Sequence, residues 1–289
     1  MKYINKKLSI EKHYFQNIAQ KYNTPTYCYS YSRLRENILN FKKNFKSISP
    51  LICFAVKSNT NVNLIHEIAK FGLGADVVSI GEMMMALKAG VNPKKIVFSG
   101  VGKTEEEIRY AINKKILLIN TESESEIKEI ERISKSMSKT IDIGIRLNPN
   151  TDAKTLSQIS TGKKENKFGI DEKQFLNLVK YVKNSKNLNL KCLSVHIGSQ
   201  ILNHKPYMKM LRVLDRVIKK SNFQFEFIDL GGGMGIDYNG SNQKLNLKKY
   251  SNEIQKFIKN HNSKIIFEPG RSIIGDTGIM LSKVNYIKK

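Results

Sequence analysis

The chain has 289 residues, 49 Lys and Arg against 25 Asp and Glu, and a net charge of +24 with 40% hydrophobic residues. Its length holds one large core, and no apolar run approaches the roughly 20 residues that a membrane-spanning helix needs. The lysines are spread along the chain without interleaved aromatics, so the charge reads as a bias toward Lys, Asn and Ile, not as a nucleic-acid surface.

The N-terminus, Met1-Lys2-Tyr3-Ile4-Asn5-Lys6-Lys7, has charge but no apolar stretch behind it, unlike a secretory signal. Residues Ile10 to Tyr22 carry apolar side chains near helical spacing and are expected to form a helix. Thr24–Ser30 reads as a strand with Pro25 near its start, where a missing donor is tolerated, and Ser32 could cap a helix over 32–45. Three cysteines, Cys28, Cys53 and Cys192, are too scattered for a metal site. Two of them lie in apolar runs, which suits a reducing cytoplasm better than disulfides.

Leu51-Ile52-Cys53-Phe54-Ala55-Val56 runs unbroken into Lys57-Ser58-Asn59, the pattern of a strand buried on both faces. A unit then repeats. Eight candidate strands cover Leu51–Lys57, Ala75–Ser79, Lys95–Gly100, Ile116–Thr121, Ile141–Asn148, Leu190–Gly198, Phe225–Gly231 and Lys264–Pro269. Candidate helices fill the gaps at Leu64–Phe71, Ile80–Ala89, Glu105–Asn113, Glu124–Ser136, Glu172–Asn184, Pro206–Lys220 and Tyr250–His261. Alternation of this kind predicts an α/β fold with a parallel sheet, and eight strand-then-helix units predict a closed (β/α)8 TIM barrel. Two stretches fall outside the repeat. Asn148–Gly169 is a long polar loop with Asp152, Lys154, Thr161, Gly162, Lys163, Lys164 and Asn166, a length typical of a functional cover. Ile279–Tyr286 looks like the opening of a further strand.

In such a barrel the reacting groups stand where strands end. The strand ends here are Lys57, Asp76 with Ser79, Ser99-Gly100, Glu122, Arg146 with Asn148, His196, Gly231–Gly235, and Glu268 with Arg271. A lysine at the edge of a core either snorkels to water or loses its proton to burial, and the second state suits attack on a carbonyl. Asp229-Leu230-Gly231-Gly232-Gly233-Met234-Gly235 lets backbone N–H groups converge on an anion, and it follows strand seven, where barrels often bind phosphate. Glu268-Pro269-Gly270-Arg271 adds a small loop and a cation after strand eight. His196, followed by Ile197-Gly198-Ser199-Gln200, is placed to stack on a planar ring, or is structural. Glu268 either pairs with Arg271 or meets a ring nitrogen and keeps it protonated. An amine for an imine, a phosphate cradle, a stacking ring and a carboxylate for a pyridine nitrogen together describe pyridoxal 5'-phosphate.

The motifs also resemble the diaminopimelate decarboxylases, part of a larger group of pyridoxal-phosphate decarboxylases and racemases built on a barrel plus a β-domain. The resemblance runs over nearly the whole chain. It is carried by Cys53-Phe54-Ala55-Val56-Lys57-Ser58-Asn59, Ala75-Asp76-Val77-Val78-Ser79 with Gly81-Glu82, and Val97-Phe98-Ser99-Gly100-Val101-Gly102-Lys103-Thr104. It continues in Arg146-Leu147-Asn148-Pro149, Ser160-Thr161-Gly162 with Lys167-Phe168-Gly169-Ile170, His196–Gln200, Asp229–Gly235 and Glu268–Arg271. The resemblance implies that Lys57 carries the cofactor as a Schiff base, that His196 lies against its ring and that Glu268 meets its nitrogen. Gly231, Gly232, Gly233, Gly270 and Arg271 would hold the phosphate, Arg271 would also face the substrate, and Asp76, Ser199 and Pro269 complete the cofactor-binding set. It implies decarboxylation of meso-2,6-diaminopimelate at its D-centre to L-lysine, in the cytoplasm, by a homodimer.

On the same resemblance the chain divides into an N-terminal segment over 1–49, whose strand 24–30 belongs to the β-domain, a barrel over 50–275, and the start of a truncated C-terminal β-domain over 276–289. The Cys-Glu-Ser segment and further substrate residues of that domain do not occur here. The chain as written is therefore expected to bind cofactor weakly, not to turn over, and to leave strand 24–30 as an unprotected edge. Three other readings stay open: a sister decarboxylase acting on arginine, ornithine or carboxynorspermidine, a non-catalytic pyridoxal-phosphate-binding barrel, and a basic nucleic-acid binder that makes no use of Lys57.

Overall fold

Eight parallel strands close into a barrel in the computed structural model, which describes residues 2–153, 161–162, 168–241 and 243–289. Of the loop positions named above, Lys154, Lys163, Lys164 and Asn166 lie outside the described residues, as do Ser160 and Lys167. The strands, one to eight in order, are Leu51–Ala55, Gly74–Val77, Ile96–Phe98, Leu118–Thr121, Ile141–Arg146, Leu188–Ser194, Phe227–Asp229 and Lys264–Phe267. Strand eight pairs with strand one through Ile266–Leu51 and Phe267–Ile52, which closes the cylinder. The expected TIM barrel is the observed fold.

Successive side chains of a strand face opposite sides, so each strand sends alternate residues inward. Ile52, Phe54, Ala75, Val77, Phe98, Ile119, Leu193, Ile228, Ile265 and Phe267 join the large apolar layer between strands and helices. Cys53, Val97, Leu118, Cys192, Phe227 and Ile266 point the other way and form a separate apolar floor inside the cylinder. Two residues further along each chain the inward positions become Ala55, Ser99, Asn120, Ser194, Asp229 and Glu268, all buried. Polar residues thus replace apolar ones at one level, toward the strands' C-terminal ends.

The helices follow the expected order, capped where the sequence supplies a cap. Glu105–Lys114 starts with a reciprocal box between Thr104 and Glu107, and Ile80–Lys88 and Glu124–Ser136 start at Ser79 and Ser123, whose hydroxyls accept the N–H three residues on. The eighth unit departs from the repeat. Strand eight is followed only by the short helix Arg271–Ile274, and helix Tyr31–Asn44, from before strand one, packs there instead. Phe41 and Phe45 from that helix end meet Phe267 of strand eight, with ring centroids 5.7 and 4.6 Å apart. Among the described residues no helix is long and apolar enough to cross a membrane.

The N-terminal expectation needs correction. In place of a helix from Ile10, strands Lys2–Ile4, Lys7–Ile10 and His13–Tyr14 form an antiparallel meander, and the helix begins at Phe15 and ends at Tyr22. Asn5 and Lys6 both take positive φ, 48° and 61°, the two-residue turn that matches strand twist. The expected strand 24–30 is Thr26–Tyr29, and it is not left unpaired on both sides: it pairs antiparallel with Gly278–Leu281. The tail strand is therefore Gly278–Leu281, shorter and earlier than Ile279–Tyr286, and residues 282–289 are not in a strand.

Candidate active site

Of the polar groups expected at strand ends, Lys57, His196, Gly233, Glu268 and Arg271 stand together at the C-terminal mouth of the barrel, whereas Glu122 and Asn148 line neighbouring clefts and Ser79 caps a helix. Lys57, His196, Ser199, Gly233, Glu268, Gly270 and Arg271 line one cavity of about 370 Å³, with Ser58 and Tyr238 on its wall. Of the other expected site residues, Asp76 lies beneath Lys57, Gly231 and Gly232 back onto His196 and Glu268, and Pro269 joins Glu268 to Gly270. Pro269 also accepts the N–H of Ala55 at 3.2 Å, tying loop eight to strand one.

Lys57 is not the last residue of strand one. It sits in the 3-10 turn Val56–Ser58 that follows, and its side chain is 52% exposed. Its Nζ donates to Asp76 Oδ2 at 3.0 Å. The Asp76 carboxylate, wholly buried, raises the lysine above its ordinary range and outweighs burial, which acts the other way. The expectation of a depressed lysine is therefore reversed in the free protein: Lys57 is an ammonium held by a partner 19 residues on in sequence. Among the described residues Asp76 Oδ1 has no hydrogen-bond partner.

His196 lies two residues beyond strand six, which ends at Ser194 and not at the expected Gly198, with its ring against loop seven. Its Nδ1 accepts the N–H of Gly232 at 3.2 Å, which leaves the proton of the neutral ring on Nε2. Burial, followed by the cations of Arg146 and Lys57, pushes His196 well below its ordinary range, so the ring is neutral. The glycines of loop seven are required by close approach. A Cβ on Gly232 would lie 2.1 Å from the carbonyl oxygen of Glu268, and one on Gly233 (φ 88°) 2.2 Å from that of Gly198. The loops after strands six, seven and eight thus touch backbone to backbone. Tyr207, buried in helix Lys205–Ser221, donates to Gly232 O at 3.0 Å and supports the cradle from behind.

Arg271 extends across the opening. Its Nε donates to Ser199 Oγ at 3.2 Å, and Nη1 to the hydroxyl of Tyr238 at 2.7 Å. Its expected alternative partner, Glu268, has other company. Glu268 is buried beside Asp229 and accepts Ser99 Oγ at 3.3 Å. Burial, then the carboxylates of Asp229 and Asp76, push it well above the usual carboxyl range, while Lys57 pulls the other way. These surroundings favour its protonated form.

Next to this cavity, Arg146 and Glu122 form a buried pair at 2.8 Å, and Glu122 Oε2 also accepts the N–H of Gly169. Thr161 donates to the carbonyl of His196 at 2.8 Å, so this described part of the long loop docks on the segment that follows strand six. Two contributors escaped the sequence reading. Tyr238 lies in an irregular polar stretch with no periodicity to mark it. Asn120 lies within the apolar strand Leu118–Thr121, where a single polar residue does not announce its neighbours.

The arrangement offers a lysine, a neutral imidazole, a buried carboxyl group whose protonated form is favoured, a backbone cradle with a guanidinium, and a cavity the size of a small cofactor. Comparison with known proteins agrees with that inventory. Residues 31–275 match the family described as pyridoxal-dependent decarboxylase, pyridoxal binding domain. A diaminopimelate decarboxylase of Helicobacter pylori is 41% identical over 278 residues, 95% of this chain and 68% of that protein. One from Aquifex aeolicus is 36% identical over 292 residues, 100% of this chain and 69% of that protein. The crystal structure of the diaminopimelate decarboxylase from Helicobacter pylori complexed with L-lysine has a TM-score of 0.91 at 40% identity, covering 95% of this chain and 70% of its own.

Proposed function

The chain belongs to the pyridoxal-dependent decarboxylases, among the diaminopimelate decarboxylases, and from that premise we propose that its barrel carries the cofactor site of an enzyme that converts meso-2,6-diaminopimelate to L-lysine and CO2 with pyridoxal 5'-phosphate. The observation that carries the reading is the meeting of Lys57, His196, Glu268, Gly233, Gly270 and Arg271 around one cavity. The fit to the cofactor is supported by the glycine backbone of loop seven, where a side chain would collide with loops six and eight, and by the unpartnered Asp76 Oδ1 beside the lysine. When bound, the cofactor supplies an electron sink for the pair left by a departing carboxylate.

The chain's own residues are assigned as follows. Lys57 would hold the cofactor through its aldehyde, for which its ammonium would first have to yield a proton, with Asp76 the adjacent acceptor. His196, neutral and anchored through Nδ1, faces the ring. Glu268 is assigned to the ring nitrogen. Gly231, Gly232, Gly233, Gly270 and Arg271 hold the phosphate with Ser199, and Pro269 fixes the loop that presents them. Arg271 also receives a carboxylate of the substrate, which its place across the opening favours.

The division at residues 49 and 275 belongs to the same proposal, supported by the pairing of Thr26–Tyr29 with Gly278–Leu281 outside the barrel. So do assembly of the full-length enzyme as a homodimer, to be read by sedimentation, and a cytoplasmic location, to be read by fractionation. The central test is an absorbance spectrum with added pyridoxal phosphate. An imine band is expected in the wild-type chain and not in Lys57→Ala; a band of equal strength in both refutes the assignment of Lys57.

A further inference from the structure

The buried polar level of the barrel holds a second acid that the assignments above leave without a task. Asp229 ends strand seven, wholly buried, and is tied from three directions. Its Oδ1 accepts the N–H of Gly231 at 2.9 Å, and its Oδ2 accepts Asn120 Nδ2 at 2.9 Å and Ser194 Oγ at 3.3 Å. The same Asn120 amide donates to Ser99 Oγ at 3.2 Å, and Ser99 donates to Glu268 Oε1 at 3.3 Å. Asp229, Asn120, Ser99 and Glu268 therefore follow one another in a chain of side chains from strands seven, four, three and eight. Gly144 on strand five makes room for it, since a Cβ there would lie 2.1 Å from Asn120 Oδ1.

The two carboxyl groups differ in what they receive. Asp229 has three donors, and a carboxylate with several donors is favoured in its charged form. Among the described residues Glu268 receives, apart from its contact with Asp229, one long bond from a hydroxyl that itself accepts from Asn120. Burial raises both acids, Glu268 well above its ordinary range, and their side chains hydrogen-bond to each other, so one proton is shared and the larger set of donors on Asp229 favours its resting on Glu268. We propose that Asp229 is a positioning residue of this site, held as the ionised member of a buried carboxyl pair so that the proton rests on Glu268, the member that lines the cavity. The inference rests on the assignment of Glu268 to the ring nitrogen and gives that acid a source for the proton it presents.

The other groups around the pair are consistent with this. Asp76 from strand two adds negative charge and reinforces the neutral form of Glu268, while Lys57 after strand one opposes it. The thiols of Cys53 and Cys192, below on strands one and six, are raised well above their ordinary range by burial and then by Asp229, so they stay uncharged and do not compete.

Infrared spectra of the cofactor-free full chain across pH test the proposal. At a pH of about 7, above the ordinary carboxyl range, wild type is expected to show a protonated-carboxyl band that Glu268→Gln removes. Asp229→Asn is expected to lower the midpoint of that band by about one pH unit or more, a tenfold loss of proton affinity. Asn120→Ala, which strips a donor from Asp229 and leaves both acids, is expected to raise it. A packing role alone would shift neither midpoint. Absence of the band from wild type, or an unmoved midpoint in Asp229→Asn, overturns the proposal. Should Asp229→Asn fail to fold, Asn120→Ala decides, and an unchanged or lowered midpoint there overturns it. If the shifts appear but no Lys57-dependent band forms with pyridoxal phosphate, the carboxyl pair stands and the cofactor reading falls.

Discussion

Replacing Gly233 by alanine is expected to be among the most damaging single-methyl changes available to this chain. Its φ of 88° lies where an L side chain costs about 1–2 kcal/mol. The added carbon would sit 2.2 Å from the Gly198 carbonyl oxygen, well inside ordinary contact, and 3.1 Å from the Tyr207 hydroxyl oxygen. Relief by separation of the loops is resisted, because Ile201 N–H donates to Gly233 O at 2.9 Å and Gly235 N–H donates to Ile201 O at 3.1 Å. Overpacking of this kind adds about 1–3 kcal/mol, for a total of about 2–5 kcal/mol. Gly240 provides the control: its φ is 67° but nothing lies within 4 Å of the position a Cβ would take, so Gly240→Ala carries the backbone term alone. Urea unfolding of the two variants, with pyridoxal phosphate titrated by absorbance, separates strain from collision. Equal destabilisation by both substitutions, with cofactor affinity unchanged in Gly233→Ala, would refute the argument that loops six and seven are in backbone contact.

Further expectations concern charge. His196 has a depressed folded pKa, so below about 6.5 the unfolded chain takes up a proton that the folded chain refuses. Stability from this group is complete above that pH and is lost as pH falls toward the folded value, at a limiting slope of about 1.4 kcal/mol per unit. His196→Gln should flatten that part of the urea-unfolding profile, and an unchanged slope between about pH 6.5 and 5 would contradict the neutral ring. Glu122→Ala leaves Arg146 buried without its partner and frees the Gly169 N–H, for a loss of about 3–5 kcal/mol in the same assay. A loss below about 1 kcal/mol would mean that water reaches Arg146 as readily as it reaches an exposed pair.

Much of the fold was legible because its signals are local. The run Leu51–Val56 is apolar at every position, as a strand covered on both faces has to be, and seven similar runs alternate with helical spacing. The glycine cluster and the groups at the strand ends were legible for a related reason: all the strands of a parallel barrel end on one face, so counting strands already brings Lys57, His196, Gly231 and Glu268 to the same side. The N-terminal meander was misread because Ile4, Leu8 and Ile10 satisfy alternation as well as they precede a helical pattern, and the deciding turn at Asn5-Lys6 has no glycine to announce it.

What the amino-acid order determined by itself, then, is the alternation of elements, the closed parallel barrel and the identity of the groups at its mouth, because each depends on spacing within a few residues. Tertiary structure alone decided the state of those groups. Lys57 keeps its proton because strand two places Asp76 at 3.0 Å. Helix Tyr31–Asn44, not an eighth helix, covers strand eight, and Asp229 and Asn120 meet although 109 residues separate them. A pKa depends on which charges and dipoles lie within a few ångströms, and closure of the cylinder sets those distances.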